Sequence, residues 1–379
     1  MSLQPIREEI DRIDDQIVEL FKSRMECSRK VAEYKHEHGL EVFNKEREEQ
    51  LLEKVETGAG IYGDSARQLY TTILELSRAL QHDMVGSGGK LKNQIYSAEK
   101  VIPTDDENIK VACFGVEGSY ANQATMKAFP NCKPDFYSSF QDIFSAICNE
   151  QADFGVVPIE NSSAGSVTDV YDLMLKYRFY ISMVVDIPIN HVLAMKKGAN
   201  IGDLKKIYSH QQALSQCSDF FRSRRNILGE TYISTAAAAK MVSENEDQTI
   251  GAICSEQAAG KYGLEIVSRG FQNNPNNTTR FLVISKKLFI DEKADKVSLC
   301  FPLPHKTGSL YSVLCRFAVN GLNLTKIESR PMSGTAFEYL FYVDFTGNVS
   351  NKSALKLICA LSEELSEFSF LGNFKEVMY

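Results

Sequence analysis

At 379 residues the chain is too long for one ordinary hydrophobic core, so two or three domains are expected. It is 44% hydrophobic and 24% charged, the composition of a soluble globular protein, and a net charge of −7 argues against nucleic acid as a partner. The segment from Met1 to Asp15 is studded with charges and lacks an apolar core, so no signal peptide is expected, and no run approaches the length of a membrane helix. Nine cysteines are scattered without a CxxC, and the six histidines show no metal-ligand spacing. Reduced thiols in the cytoplasm are expected, with no disulfide frame, no metal and no cofactor.

The first region, Met1 to about Met84, reads as helical. Ile6, Ile10, Ile13, Ile17, Leu20, Cys27, Val31 and Tyr34 recur at steps of three and four over a long helix, which Gly39 would end. Asn44 is placed to cap a second helix running to Glu56. After Gly58, Gly60 and Gly63, Asp64 or Ser65 is placed to cap a third helix running to about Asp83.

Arg24 falls where the stripe calls for an apolar residue. A lone arginine there most often lies at the stripe edge and snorkels. Lys35, however, lies three turns on, about 16 Å along the same face, so both cations could reach one anion. On the third helix Ser77 and Gln81 interrupt an apolar column with Tyr70 and Leu74. This region resembles the all-helical chorismate mutase domain over residues 6–81. The resemblance implies a three-helix, intertwined dimer with Arg7, Arg24, Lys35, Asn44, Arg47, Glu48, Ser77 and Gln81 at the substrate. Asn44 stands where relatives carry aspartate. Chorismate is a dianion that rearranges without acid, base or nucleophile, so catalysis consists of holding it and stabilising charge on its ether oxygen. Arginines suit its carboxylates, and the resemblance gives Arg24, Lys35 and Gln81 catalytic roles, the last two at the ether oxygen.

Gly86-Ser87-Gly88-Gly89 opens a polar stretch to Asn108 that reads as a linker with little structure of its own. From Ile109 to about Lys287 short apolar runs alternate with helical segments, which argues an α/β fold. Strands are expected at Lys110–Gly115, Phe154–Ile159, Ile181–Asp186, Val192–Met195, Lys206–Tyr208, Ile250–Cys254 and Arg280–Ser285. Helices are expected at Ala121–Phe129, Phe140–Asn149, Val167–Tyr177, Gln212–Arg222, Ala236–Ser243 and Gln257–Tyr262. The strands repeatedly end in hydroxyl or amide residues just before a helix. Singly these are ordinary N-caps; together they suggest helix N-termini converging on an anion.

Three motifs are more specific: Val157-Pro158-Ile159-Glu160-Asn161-Ser162 with Gly165, Ser209-His210-Gln211-Gln212-Ala213-Leu214, and Thr278-Thr279-Arg280-Phe281. In this order they resemble prephenate dehydratase from about Val111 to Ser285. The resemblance implies two α/β subdomains in the manner of a periplasmic binding protein, with the site in the cleft. It implies substrate contacts from Ser119, Glu160, Asn161, Ser162, Ser209, His210, Gln211, Ser234, Thr235, Thr279, Arg280 and Phe281. Ala121 stands where relatives often place a hydroxyl. Prephenate loses its ring hydroxyl and CO2 together, and departure of hydroxide needs a proton or a strong hydrogen bond. The resemblance gives that role to Thr279 and a substrate carboxylate to Arg280. His210 is the general acid that the residues alone would suggest; it ranks second.

From Asp295 to Tyr379 the expected order is strand (Val297–Phe301), helix (Ser309–Asn320), strand (Leu322–Glu328), strand (Phe337–Phe345), helix (Ser353–Leu365) and a last strand, a ferredoxin-like α+β arrangement. Gly308-Ser309-Leu310, Asn323-Leu324-Thr325 and Glu328-Ser329-Arg330-Pro331 resemble the ACT domain of phenylalanine-regulated dehydratases. The resemblance implies that Gly308, Ser309, Leu310, Asn323, Leu324, Glu328, Ser329 and Arg330 bind phenylalanine as a feedback inhibitor. The expected domains are 1–85 for the mutase, 86–108 for the linker, 109–288 for the dehydratase and 295–379 for the sensor. The expected assembly is a homodimer, with a tetramer as an alternative, and no membrane partner. Two other readings are a non-catalytic amino-acid-binding regulator, and a dehydratase whose helical region serves only as a dimerisation arm.

Arg7 and Arg24 are seventeen residues apart, about 25 Å on a straight helix, so one chain cannot bring both to one small substrate. Arg7→Ala is therefore expected to abolish mutase turnover, and mixing it with Arg24→Ala chains to restore some activity in heterodimers. Properly formed heterodimers without activity would sink the shared site.

Overall fold

The computed structural model describes residues 3–332 and 339–377. They form two compact units, Met1–Ser97 with Val297–Phe370, and Ala98–Lys296 with Leu371–Tyr379. Helix α1 spans Gln4–His38 and ends where Gly39 adopts φ 62, the left-handed conformation that glycine takes at least cost. Helix α2, Lys45–Gly58, starts at Asn44, whose side chain accepts a hydrogen bond from the Arg47 amide. Helix α3 spans Gly63–Val85. Neither Asp64 nor Ser65 caps it: a one-turn 3-10 helix, Gly60–Tyr62, leads straight in, and Tyr62 makes no side-chain capping bond. Gly63 is needed there because a Cβ would lie 2.7 Å from the Glu56 carbonyl oxygen.

Helix α1 buries only Ser28 and Ala32. The expected stripe is uncovered in the single chain: Ile6, Ile10, Ile13, Ile17 and Leu20 are all exposed. Helix α3 is the reverse. It packs against α1 and α2 on one side and C-terminal helices on the other, and it buries Leu74, Glu75, Ser77, Arg78, Gln81 and His82.

The glycine-rich stretch is not a slack linker. Gly86 closes α3 at φ 70, and helix α4, Gly89–Tyr96, follows with Ile95 buried. Gly88 sits at φ 78 where a Cβ would lie 2.3 Å from Cys359 Cβ. These glycines serve a helix cap and a close approach of backbone to side chain, not flexibility.

The second unit holds two sheets. The chain runs β1 Val111–Phe114, α5 Tyr120–Ala128, β2 Asp135–Tyr137, α6 Phe140–Cys148, β3 Phe154–Asn161, β4 Gly165–Ser166, α7 Thr168–Tyr177 and β5 Tyr180–Pro188. It crosses to β6 His191–Met195, β7 Lys206–Ser209, α8 Gln211–Gln216, α9 Ser218–Ser223, β8 Leu228–Thr231, α10 Thr235–Glu244, β9 Ile250–Ser255, α11 Glu256–Lys261 and β10 Glu265–Arg269, then returns in β11 Thr278–Ser285. The one helix expected over Gln212–Arg222 is two, broken at the buried Cys217. Strands β2, β4, β8 and β10 are not legible in the sequence, being short and without a buried residue. The first sheet runs β5-β11-β3-β1-β2 with β4 on β3; the second runs β10-β6-β9-β7-β8. Residues 375–377 add a parallel edge to β5.

The C-terminal order is β12 Lys296–Leu303, α12 Ser309–Val319, β13 Leu324–Pro331, β14 Tyr339–Thr346, α13 Lys352–Glu364 and β15 Ser369–Val377. The expected start of the fifth element's neighbour, at Phe337, lies outside the described residues. Strands β13, β14 and β12 are neighbours in that order, and Phe317 of α12 meets Phe345 of β14 edge-on at 5.2 Å.

Gly155 in the central strand β3 lies under α6, where a Cβ would sit 2.7 Å from Ile143 Cγ2 and 2.8 Å from Ile147 Cδ1. Gly155→Ala is expected to overpack this core at a cost of about 1–3 kcal/mol, read as a fall of several degrees in thermal midpoint.

Candidate functional site

In the helical region the structure joins only part of the expected set. Arg24 donates to Ser77 Oγ at 2.5 Å, and Lys35 donates to the Val42 carbonyl at 2.5 Å. Burial works against the charge on both, pulling each below its ordinary range, while Glu48 counters the pull. Glu48 itself is pushed above the usual carboxylate range, first by burial. It accepts from Arg78 Nη1 at 2.8 Å. Gln81 Oε1 is buried with no hydrogen-bond partner, an unfilled acceptor. Asn44 acts as the cap of α2, Arg47 is exposed, and Arg7 is exposed near the start of α1.

The second unit has a cavity of about 230 Å³ between its two sheets. It is lined by Ser119, Asn161, His210, Ser234, Thr235, Thr279 and Phe281 from the expected set. A register shift between β3 and β11 lets Pro158 and Asn161 face the cavity together with Thr279 and Phe281. Proline is tolerated in this central strand because it sits at that bulge. Three helices open on the cavity: Ser119 caps α5, His210 caps α8 and Ser234 caps α10. Their N-termini supply positive potential without a cation. No lysine or arginine lines the cavity.

Thr279 has a defined polarity. Asn161 Oδ1 accepts from the amides of Ser163 and Ala164, each at 3.0 Å, which orients the side chain. Asn161 Nδ2 then donates to Thr279 Oγ1 at 2.8 Å. The Thr279 oxygen is engaged as an acceptor, so its own proton is left to donate into the cavity. His210 is engaged differently, accepting from the Gln212 amide at its Nδ1.

Several residues of the expected set lie outside the cavity lining. Arg280 lies on the other face of β11 from Thr279, because side chains alternate along a strand. It pairs with Asp186 through Nε and Nη2, both at 2.9 Å, and with Glu376 at 3.4 Å. Glu160 is its register partner and shares that displacement from the cavity. Ser209 is fully buried and donates to the Ile253 carbonyl at 2.6 Å, Gln211 accepts from Thr231, and Ser162 braces the Thr278 amide. None of these three lines the cavity. Sequence reasoning missed Tyr120, His191 and Gln216, which do. Tyr120 and Gln216 hold the two nitrogens of His191, and burial pushes that ring below its ordinary range while the bond to Gln216 counters the pull. The one signal was position: Gln216 is four residues after Gln212 on the same helical face.

In the C-terminal region Gly308 has φ 85 and precedes α12, with Ser309 and Leu310 in its first turn. Asn323 accepts from the Thr346 amide. Strand β13 alternates, so Leu324, Glu328 and Arg330 share a half-buried face and Ser329 lies on the exposed one. Among the described residues no three His, Cys, Asp or Glu side chains gather to hold a metal ion, and no helix is long and apolar enough to cross a membrane.

The family model for prephenate dehydratase matches residues 111–288, and that for chorismate mutase type II matches residues 6–82. A bifunctional chorismate mutase/prephenate dehydratase from Aquifex aeolicus is 32% identical, over 100% of this chain and 99% of that one. A chloroplastic arogenate dehydratase/prephenate dehydratase from Arabidopsis thaliana is 36% identical over 74% of each chain. A prephenate dehydratase structure from Arthrobacter aurescens, in complex with L-Phe, is 28% identical with a TM-score of 0.65, covering 70% of this chain and 89% of that one.

Because Arg280 is braced by Asp186 and Glu376, Arg280→Gln is expected to cost about 1–3 kcal/mol of stability. The Michaelis constant for prephenate should change less than threefold. A tenfold rise without loss of thermal stability would return Arg280 to the substrate.

Proposed function

We propose, for a chain that belongs to the family of bifunctional chorismate mutase/prephenate dehydratases, that the helical region and the inter-sheet cavity are its two active sites. The protein is a two-reaction enzyme of phenylalanine biosynthesis: it rearranges chorismate to prephenate, then dehydrates and decarboxylates prephenate to phenylpyruvate. The functional regions are read as 1–85, 109–288 and 295–379.

In the mutase, Arg24 and Lys35 hold the dianion, with Ser77 fixing the Arg24 guanidinium. Gln81 donates from its amide nitrogen to the ether oxygen. Glu48 is an acceptor beside an anionic substrate, so it suits the ring hydroxyl and not a carboxylate. Arg7 comes from a second chain. The uncovered stripe on α1 supports this, since five large aliphatic residues in a row would bury apolar surface against a second copy at about 25 cal/mol per Å².

The observation that carries the dehydratase assignment is the Asn161–Thr279 pair in the cavity. Asn161 fixes Thr279 as donor toward the leaving hydroxyl, a strong hydrogen bond in a confined site and not full transfer from so weak an acid. Helix N-termini at Ser119, His210 and Ser234 meet the substrate carboxylates. As hydroxide leaves, the carboxylate's bonding electrons pass into the ring as CO2 departs, and aromatisation drives both. Phenylalanine acts as feedback inhibitor at the C-terminal region, an ACT-like βαββαβ fold in which Gly308 lets backbone amides approach an amino-acid carboxylate.

The test follows chorismate turnover with separate detection of prephenate and phenylpyruvate. Thr279→Val is expected to let prephenate accumulate, with dehydratase kcat down about 100-fold or more. His210→Asn, which keeps a capping acceptor, should lose less than tenfold. A larger loss for His210→Asn reverses the assignment, and dehydratase turnover unchanged at saturating phenylalanine removes the regulatory reading.

A further inference from the structure

Arg78 sits one residue after Ser77 on α3, and its side chain is only 7% exposed. It makes three ionic contacts. Nη1 donates to Glu48 Oε2 of α2 at 2.8 Å, Nη2 donates to Glu75 of α3, and Nε lies 3.6 Å from Glu364 Oε2 of α13. The Phe43 ring covers the guanidinium face at 4.7 Å. The acids are themselves held from the C-terminal helices. Arg316 of α12 donates from Nε to Glu75 Oε2 at 2.5 Å and from Nη2 to Glu364. Ser312 of α12 donates to Glu75 Oε1 at 2.5 Å, and His82 of α3 bonds Glu364 Oε1 at 2.5 Å. Glu75 and Glu364 are 3% and 4% exposed, so little water shares this load.

A cluster of this kind is a poor device for stability alone, because desolvation of each ion consumes most of the Coulomb gain, and apolar packing of the same shape serves as well. What it does supply is geometry. Every charge has an opposite partner at a set place, and the chain of pairs ends at Glu48, on the neighbouring helix.

We propose that Arg78 is a positioning residue of the mutase site: it holds the Glu48 carboxylate in place, and Glu75, Arg316 and Glu364 hold Arg78, so charges on the C-terminal helices form part of the support of that site. This rests on the reading that Glu48 faces chorismate. The charged groups that act on Glu48 are Arg24 and Lys35 from α1, Glu75 and Arg78 from α3, Arg316 from α12 and Glu364 from α13, the last bonded in turn by His82 of α3. Burial raises the Glu48 carboxyl most; Arg78 and Arg316 lower it, and Glu75 and Glu364 raise it.

The signs make the test. Mutase kcat/KM is measured against pH on the full-length chain carrying Arg78→Gln, Arg316→Gln, Glu364→Gln or Glu48→Gln, with helical circular dichroism and the thermal unfolding transition of each chain as the check that the unit carrying the substitution is folded. Removing a cation raises the Glu48 carboxyl, so Arg78→Gln and Arg316→Gln should move the acid limb to higher pH, by about one unit for the directly paired Arg78. Removing an anion does the opposite, so Glu364→Gln should move it to lower pH. Arg78→Gln should also lose at least tenfold in kcat/KM at neutral pH, with partial recovery in Arg78→Lys. Packing damage alone gives no opposed shifts. If Arg78→Gln and Glu364→Gln leave the acid limb in place or move it the same way, while Glu48→Gln abolishes it, the proposal fails and the role of Glu48 stands. If Glu48→Gln keeps both rate and acid limb, Glu48 does not face chorismate and the proposal falls with that reading. Should Arg78→Gln fail to fold, the opposed shifts of Arg316→Gln and Glu364→Gln decide alone.

Discussion

An ionised side chain taken out of water must meet an opposite charge, and that requirement organises the first unit around α3. This helix is covered on both sides, yet it carries Glu75, Arg78 and His82 among its buried residues. An unpaired member would cost several kcal/mol. The packing of α12 and α13 on α3 is therefore tied to where Arg316 and Glu364 stand. The face of α3 turned toward α1 carries neutral Ser77 and Gln81, which suit a ligand that brings its own charge.

The second unit answers the same requirement in another way. Its cavity has no lysine or arginine among its lining residues. Helix N-termini and hydroxyls supply partial positive charge, which costs little to bury because the peptide dipoles are neutral as groups. The arginine that might have served, Arg280, is instead paired with Asp186 and Glu376. A cavity without a fixed cation also leaves the Thr279 proton as the directed donor, aligned by Asn161.

Helix α1 is the converse case, an apolar surface without a cover. Its first half buries nothing in the single chain, and its exposed aliphatic residues carry Arg7 at their start. A helix this long is stable when an amphipathic face is packed, more than through propensity, and in the single chain that face is uncovered.

Periodicity and caps were enough to place α1 and α2, the Gly39 and Asn44 ends, the α/β alternation and the βαββαβ order, because these follow from local rules at spacings of two and 3.6. Motifs singled out Thr279, Asn161, Ser119, Arg24 and Ser77. What the sequence could not decide was direction. Thr279 and Arg280 are adjacent letters in one motif, but a pleated strand turns them to opposite faces. Gly86 to Gly89 has the composition of a spacer, yet the chain there is pressed against α13, a contact between residues far apart in sequence. Arg78 has Glu75 three residues before it on its own helix, but Glu48 and Glu364 are brought to it from two other helices. The sequence by itself determined which elements form and which chemistry they carry, because those depend on neighbours along the chain. Which side chains meet, and which cations are consumed in holding the structure and not the substrate, was decided only by tertiary packing, because charge pairing acts across space and has no period in the sequence.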